Sequence, residues 1–252
     1  METQLLLKAY LKRLRLPAMY AEFERFAKEA AETNLPYDRF LLALVEQEIL
    51  QRDERRVRDK IKHARFPYLK TLDTYDFTAI PTLNKQLVLQ LAQGAYLDKA
   101  ENIIFIGNAG TGKTHLGIGL GVAACKSSKN VRYFSASGLV NAFREALAEH
   151  RLSRFEKTLD RLDVVIVDEL GYLTLSREDG QLLFNFFAAR YERKSVIVTS
   201  NLEFSHWTEI FAGDERLTGA LLDRLTHHAH IIAMNGPSYR FRESQGNGGG
   251  PA

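Results

Sequence analysis

The run Gly107-Asn108-Ala109-Gly110-Thr111-Gly112-Lys113-Thr114 has the form G-x-x-x-x-G-K-[ST], the spacing of a phosphate-binding loop. Its glycines let the backbone wrap so that several N–H groups point at one anion. Lys113 supplies a point charge to the β and γ oxygens of a nucleoside triphosphate, and the Thr114 hydroxyl can ligate Mg2+. The helix that follows presents its N-terminal dipole to the same anion. The plain alternative is a glycine-rich turn with an incidental lysine. Position argues against it: the motif directly follows the apolar run Asn102–Ile106 and opens a segment of small residues, Gly117, Gly119, Gly121 and Ala123. The expected nucleotide ligands are Gly107, Asn108, Ala109, Gly110, Thr111, Gly112, Lys113, Thr114 and His115, with ATP and Mg2+ as cofactors.

Two acids end the next apolar run, Val164-Val165-Ile166-Val167-Asp168-Glu169. Asp168 is placed to hold Mg2+ together with Thr114, directly or through water. Glu169 stands where a carboxylate can polarise an attacking water as general base, which favours hydrolysis over transfer to a small molecule. The alternative is an ordinary strand end turning into solvent. Ser195–Thr199 is a further apolar run, and Asn201 behind it can reach the γ-phosphate and the attacking water, although asparagine is also a common turn residue. Arg224, in Leu221-Leu222-Asp223-Arg224-Leu225, either completes a neighbouring subunit's site by stabilising transition-state charge or makes an intrahelical or structural pair with an acid such as Asp223. Arg240, in Ser238-Tyr239-Arg240-Phe241-Arg242, either touches the γ-phosphate of its own site or belongs to a solvated basic tail.

These residues need a scaffold, and the periodicity supplies one. Short apolar runs at Asn102–Ile106, Val131–Phe134, Val164–Val167, Ser195–Thr199 and Ala229–Met234 alternate with helical segments, the pattern of a parallel sheet covered on both faces. Residues 1 to about 65 read as helices only. Leu6, Tyr10 and Leu14 recur at four-residue spacing, and Met19, Phe23 and Phe26 form a second stripe. Pro17 suits the first turn of that second helix. A long third helix starts near Tyr37, and Pro67 ends it or bends the chain away. Thr71 to Pro81 reads as a connector, with Pro81 opening an amphipathic helix through Leu83, Leu87 and Leu91 that stops near Gly94. The expected organisation is a helical domain over 1–70, an α/β nucleotide-binding domain over 71–243 and a disordered tail over 244–252.

Of the 252 residues, 45% are hydrophobic and 26% charged, ordinary globular usage that excludes a disordered or collagen-like chain. The single cysteine, Cys125, excludes an internal disulfide and a Cys-rich zinc site and points to a reducing, cytoplasmic setting. The N-terminus lacks a basic stretch followed by an apolar core, and the run Leu116–Cys125 is too short to span a bilayer, so no membrane role is expected. His227, His228 and His230 cluster in sequence, but neither a cysteine nor an evident acid stands beside them to build a metal site. Net charge is +3, and the excess is concentrated: from Leu50 to Lys70 there are eight basic and three acidic residues. Arg52, Arg55, Arg56, Arg58, Lys60 and Lys62 are therefore candidates for contact with duplex DNA, against the alternative of a solvated helix with pairs such as Glu54–Arg58. Nothing resembles a base-reading helix, so such contact would run mainly through the DNA backbone.

Taken together, GNAGTGKTH, VVIVDELGYL, VIVTSNLEFSHW, GALLDRLTHHAHII and MNGPSYRFR resemble the IstB family, AAA+ helper ATPases encoded beside the transposase of insertion sequences and related to DnaC helicase loaders. The opening LKRLRLPAMYAEF and the connector FPYLKTLDTYDF resemble that family's N-terminal half, so the likeness covers most of the chain. It implies a P-loop AAA+ parallel sheet flanked by helices and preceded by a small all-helical domain, with no separate lid. It also implies homo-oligomers whose ATP sites are completed between subunits. By motif, Asp168 and Glu169 match the Walker B pair, Asn201 sensor 1, Arg224 the arginine finger and Arg240 the second sensor. The implied function is ATP-dependent assembly on duplex DNA in aid of a cognate transposase. A DnaC-like helicase loader is the nearest competitor. A small-molecule P-loop kinase would leave Glu169 and Arg224 unused, and a nucleotide-gated binding module would be indifferent to Glu169→Gln.

Overall fold

Each of the five apolar runs becomes a strand: β1 (Asn102–Ile106), β2 (Val131–Ser135), β3 (Val164–Asp168), β4 (Ser195–Ser200) and β5 (Ala229–Ala233). The computed structural model describes residues 2–172, 174–236 and 238, so Arg240 and the 244–252 tail lie outside the described residues. All pairings are parallel and the sheet order is β2-β3-β4-β1-β5. The three central strands are buried along their whole length, which is why they read as unbroken apolar runs rather than alternating ones. The edge strands β2 and β5 are only partly covered and carry Arg132 and His230.

The helices are α1 (Glu2–Arg13), α2 (Pro17–Glu32), α3 (Tyr37–Ala64), α4 (Lys85–Ala92), α5 (Ala95–Asp98), α6 (Lys113–Lys126), α7 (Ala136–Ala148), α8 (Leu152–Asp160), α9 (Arg177–Arg190), α10 (Trp207–Ile210) and α11 (Glu215–Thr226). The sheet separates two cores. On one face Ile103, Phe105, Ile166 and Ile197 pack with Leu116 and Leu120 of α6 and Val88 of α4. On the other, Ile104, Val165, Val167 and Val198 pack with residues of α7, α9, α10 and α11. Alternation of side chains along each strand sorts the residues between these cores. Helix α6 lies close to the sheet because of its small residues. A Cβ at Gly121 would come within 2.7 Å of Ile166 Cδ1.

The chain divides into two compact units, Met1–Asp59 and Lys60–Ala252. The division falls inside α3 rather than at residue 70, for a packing reason. Ala64 is fully buried and Ile61 and Phe66 pack against the core of the second unit. Lys60 also donates to Asn130 Oδ1, and Arg132 to the His63 carbonyl. In the first unit, Leu11, Phe23 and Leu44 form a small core. Pro17 opens α2 as expected, but Leu16 offers no side-chain cap. Buried Glu48 of α3 does so instead, accepting the N–H groups of Ala18 at 2.8 Å and Met19 at 3.1 Å. One helix start differs from the sequence reading. Pro81 sits in a turn, and α4 begins at Lys85, where the Asn84 side chain caps it by accepting the Leu87 N–H.

Candidate nucleotide site

Loop 107–112 leaves the C-terminal end of β1, and Gly110 and Gly112 take left-handed φ values of 77° and 87° that side-chain-bearing residues rarely adopt. Gly112 is doubly constrained, since a Cβ there would lie 2.8 Å from the Tyr75 ring. Lys113, the first residue of α6, is buried and turns its Nζ back onto the loop, donating to the carbonyls of Gly107 and Asn108 at 2.7 Å each. The loop is thus held around its own cation, and an arriving phosphate can take over those bonds.

Order in the sheet brings the other parts together. Strand β4 lies between β1 and β3, so Asn201 stands between the loop and the two acids, at the C-terminal ends of adjacent strands where α/β sheets bind ligands. Asp168 is 2% exposed and accepts hydroxyl bonds from Thr114 at 2.9 Å, Thr199 at 2.5 Å and Tyr133 at 2.7 Å. Thr114 and Asp168, expected as joint Mg2+ ligands, are therefore in contact. This oxygen-only pair suits Mg2+. Glu169 is exposed toward the cleft with a left-handed φ of 62°. Asn201 Oδ1 is buried and has no hydrogen-bond partner among the described residues. An orphaned polar atom at the mouth of a phosphate loop fits a site that receives a polar ligand.

The cleft has a volume of about 470 Å3, within the usual range for small-molecule sites. Ala109 to His115, Glu169 and Asn201 line one side, and the connector supplies the other through Tyr68, Lys70, Tyr75 and Ile80. Sequence reading gave these connector residues no role in the site. The Tyr75 hydroxyl donates to the Thr111 carbonyl, and burial, followed by the charge of Asp76, pushes its pKa up to about 12. His115 faces the connector: its Nε2 lies 2.9 Å from the Thr71 carbonyl, and burial lowers its basicity. Tyr133 and Thr199 were also missed. Their signal was parity, since they share a sheet face with Asp168, but using it requires the register.

Other candidates are placed elsewhere. Arg224 does not line the cleft. Its Nη1 donates to the Ala220 carbonyl at 2.8 Å and its guanidinium lies over Phe184, so the alternative pairing with Asp223 is not formed. Arg52, Arg55, Arg56, Arg58 and Lys62 are exposed on α3 and Lys60 is half-buried. Arg52 pairs with Glu48 and Arg56 with Asp53, whereas Arg55, Arg58 and Lys62 have no ion pair among the described residues. The histidine pair does have an acid beside it, contrary to the sequence reading. Glu192 Oε1 lies 3.9 Å from His227 Nδ1 and 3.5 Å from His228 Nε2, brought there by the turn before β4. All three are exposed, and His227 Nδ1 already meets the Tyr191 hydroxyl at 2.7 Å.

Comparison with known proteins agrees with this geometry. Residues 9–247 match the family model described as IstB-like ATP binding protein. An insertion sequence IS5376 putative ATP-binding protein of Geobacillus stearothermophilus is 39% identical over 236 residues, covering 94% of each chain. An IS21 counterpart from Pseudomonas aeruginosa is 38% identical over 239 residues, 95% of this chain and 90% of that one. Among solved structures, the DnaC helicase loader aligns with a TM-score of 0.54 at 19% identity, over 65% of this chain and 96% of its own. A DnaA replication initiator, solved with AMPPCP and single-stranded DNA, aligns with a TM-score of 0.55 at 21% identity, over 70% of this chain and 53% of its own. The latter two show a shared AAA+ fold. With its phosphate loop, acidic strand end and polar β4 terminus in that arrangement, the chain belongs to the IstB-like ATP-binding proteins of insertion sequences.

Proposed function

We propose that the protein is a Mg2+-dependent ATPase that assembles on duplex DNA and assists the transposase of its insertion sequence. The observation that carries the hydrolytic part is the convergence of Lys113, Thr114, Asp168, Glu169 and Asn201 at three adjacent strand ends. On ATP binding, the loop N–H groups and Lys113 take the phosphates, and the ring of Tyr75 and the side chain of Ile80 offer an apolar wall to the base. Thr114 and Asp168 would hold Mg2+, which would supply neutralisation of charge on the phosphate oxygens. Glu169 orients a water and accepts its proton as the water oxygen attacks the γ-phosphorus, and ADP and phosphate are released. Asn201 hydrogen-bonds the water or the γ-phosphate. Arg224, outside its own cleft, completes the site of a neighbouring copy, and Arg240 serves as second sensor.

The DNA and transposase parts rest on the family and on surface chemistry. Relatives described as insertion-sequence ATP-binding proteins align over nearly their whole length. Arg55, Arg58 and Lys62 project from α3 without ion-pair partners among the described residues, which suits contact with phosphates. Assembly is supported by the first unit's surface, where Leu5, Leu14, Leu41, Leu42 and Ile49 are all more than half exposed. Among the described residues no helix is long and apolar enough to cross a membrane.

Binding to labelled duplex and single-stranded DNA, with ATP, ADP or no nucleotide, at two salt concentrations, tests the reading. Cooperative duplex binding that requires ATP, weakens with salt and is lost in Lys113→Ala is expected. Preference for single strands would instead support a helicase loader. Absence of any nucleotide-dependent DNA binding would reject both.

A further inference from the structure

Asp168 and Glu169 are held by two hydroxyls that belong to none of the nucleotide-binding motifs. An ionised carboxylate has about four acceptor positions. On Asp168, Oδ1 accepts from Thr114 at 2.9 Å and Thr199 at 2.5 Å, and Oδ2 accepts from Tyr133 at 2.7 Å. Three positions are filled, the carboxylate is 2% exposed, and its rotation is fixed from both ends. Tyr133 comes from edge strand β2, and Thr199 from β4, on opposite sides of β3.

Thr199 has a second task. Its Oγ1 accepts the Glu169 N–H at 3.0 Å, so its single hydroxyl proton is committed to Asp168. Its carbonyl accepts the next N–H, that of Leu170, at 2.9 Å. Glu169 lies between these two anchors with φ at 62°, a left-handed conformation that persists only when neighbours enforce it. One threonine therefore grips both N–H groups of the turn that aims the Glu169 carboxylate into the cleft.

We propose that Tyr133 and Thr199 are positioning residues of the hydrolytic site, Tyr133 fixing the Asp168 carboxylate for Mg2+ and Thr199 fixing Glu169 for attack by water. This rests on the ATPase reading above. Phenylalanine at 133 removes one donor and little volume. Valine at 199 removes the hydroxyl and leaves the Glu169 N–H without its acceptor, whereas serine keeps both bonds.

Two measurements on the full chain separate the roles. Binding of a fluorescent, non-hydrolysable ATP analogue is titrated with Mg2+, and single-turnover ATP hydrolysis is followed at saturating Mg2+. Tyr133→Phe should raise the half-saturating Mg2+ concentration about tenfold, the lower end of the effect of removing a group that orients a metal ligand. Its affinity for the analogue in EDTA should be unchanged. Thr199→Val should slow hydrolysis by about 100-fold, the loss typical of a misplaced general base. Its analogue affinity should stay within about twofold, and Thr199→Ser should recover most of the rate. An unaltered Mg2+ titration in Tyr133→Phe would overturn the first role. A Thr199→Val rate equal to wild type, or a Thr199→Ser rate as low as that of Thr199→Val, would overturn the second. If the wild-type chain binds the analogue with Mg2+ but hydrolyses nothing, the ATPase reading fails by itself, and the Mg2+ titration of Tyr133→Phe still decides the first role.

Discussion

At the residue scale the site is a set of groups held ready by their neighbours. Lys113 is buried, and an ammonium without acceptors would be costly there. The carbonyls of Gly107 and Asn108 supply them until a phosphate does. Glu169 differs in kind: its carboxylate is exposed, and it is aimed through its backbone, whose N–H is held by the Thr199 hydroxyl and whose φ is left-handed. Replacing its carboxylate by an amide keeps shape and removes basicity. Glu169→Gln should therefore retain ATP affinity within about twofold while phosphate release falls by about 10²–10⁴-fold, the range for loss of a general base. Equilibrium nucleotide binding and a phosphate-release assay on the same preparation check this. Unchanged release would show that hydrolysis does not run through Glu169.

At the element scale, the start of α9 shows how one helix end is fixed. Ser176 accepts the Asp179 N–H at 3.2 Å, and its hydroxyl donates to Asp179 Oδ2 at 2.6 Å, so one hydroxyl caps the helix and binds the carboxylate in its first turn. Arg144 of α7 forks onto the same carboxylate, with Nε at 2.7 Å from Oδ1 and a further bond to Oδ2. The Arg144 guanidinium, more than the Ser176 hydroxyl, holds the Asp179 carboxyl below its ordinary value of 3.8. The sign follows from proton binding: the unfolded chain takes up the proton first as pH falls, so the contribution to stability is full above 3.8 and disappears as pH drops through the lowered folded value. Ser176→Ala should cost about 1 kcal/mol, or about 2–4 °C in Tm for a chain of this size. Asp179→Asn should destabilise at pH 7 and progressively less toward pH 3. Thermal melts across that range check both, and an Asp179→Asn deficit that is the same at both ends would contradict the linkage.

At the scale of the whole molecule, the chain divides into two units within α3, and the basic residues lie along that helix. Each Lys or Arg that neutralises a DNA phosphate contributes about 0.9 to the slope of log affinity against log salt. Substituting Arg55, Arg58 and Lys62 together by alanine should lower that slope by as much as about 2.7 if all three contact phosphate. The nucleotide cleft lies in the second unit and includes none of the three, so ATP affinity should not change. Duplex binding measured at several salt concentrations reads the slope. An unaltered slope would remove α3 from the DNA interface and shift attention to other surfaces of the ATPase unit.

What the sequence determined by itself was local chemistry. Glycine spacing marked the phosphate loop, because only certain residues permit that backbone path. Continuous apolar runs marked β1, β3 and β4, because strands covered on both faces have no polar side to show. The acids at 168 and 169 were legible as the end of such a run, and Pro17 as the first residue of α2. What the tertiary structure decided was every relation between distant segments. Strand order placed β4 between β1 and β3 and so set Asn201 beside the acids. Register set Tyr133 and Thr199 on Asp168, and the fold brought the connector to the cleft wall and Glu192 to the histidine pair. The starts of α4 and of the second unit escaped for the same reason. Asn84 caps a helix that Pro81 was expected to open, and Ala64 is drawn into a core formed by residues far along the chain. Spacing within one segment fixes which groups can do chemistry, whereas their meeting depends on packing free energy shared across the whole sheet, which no single segment encodes.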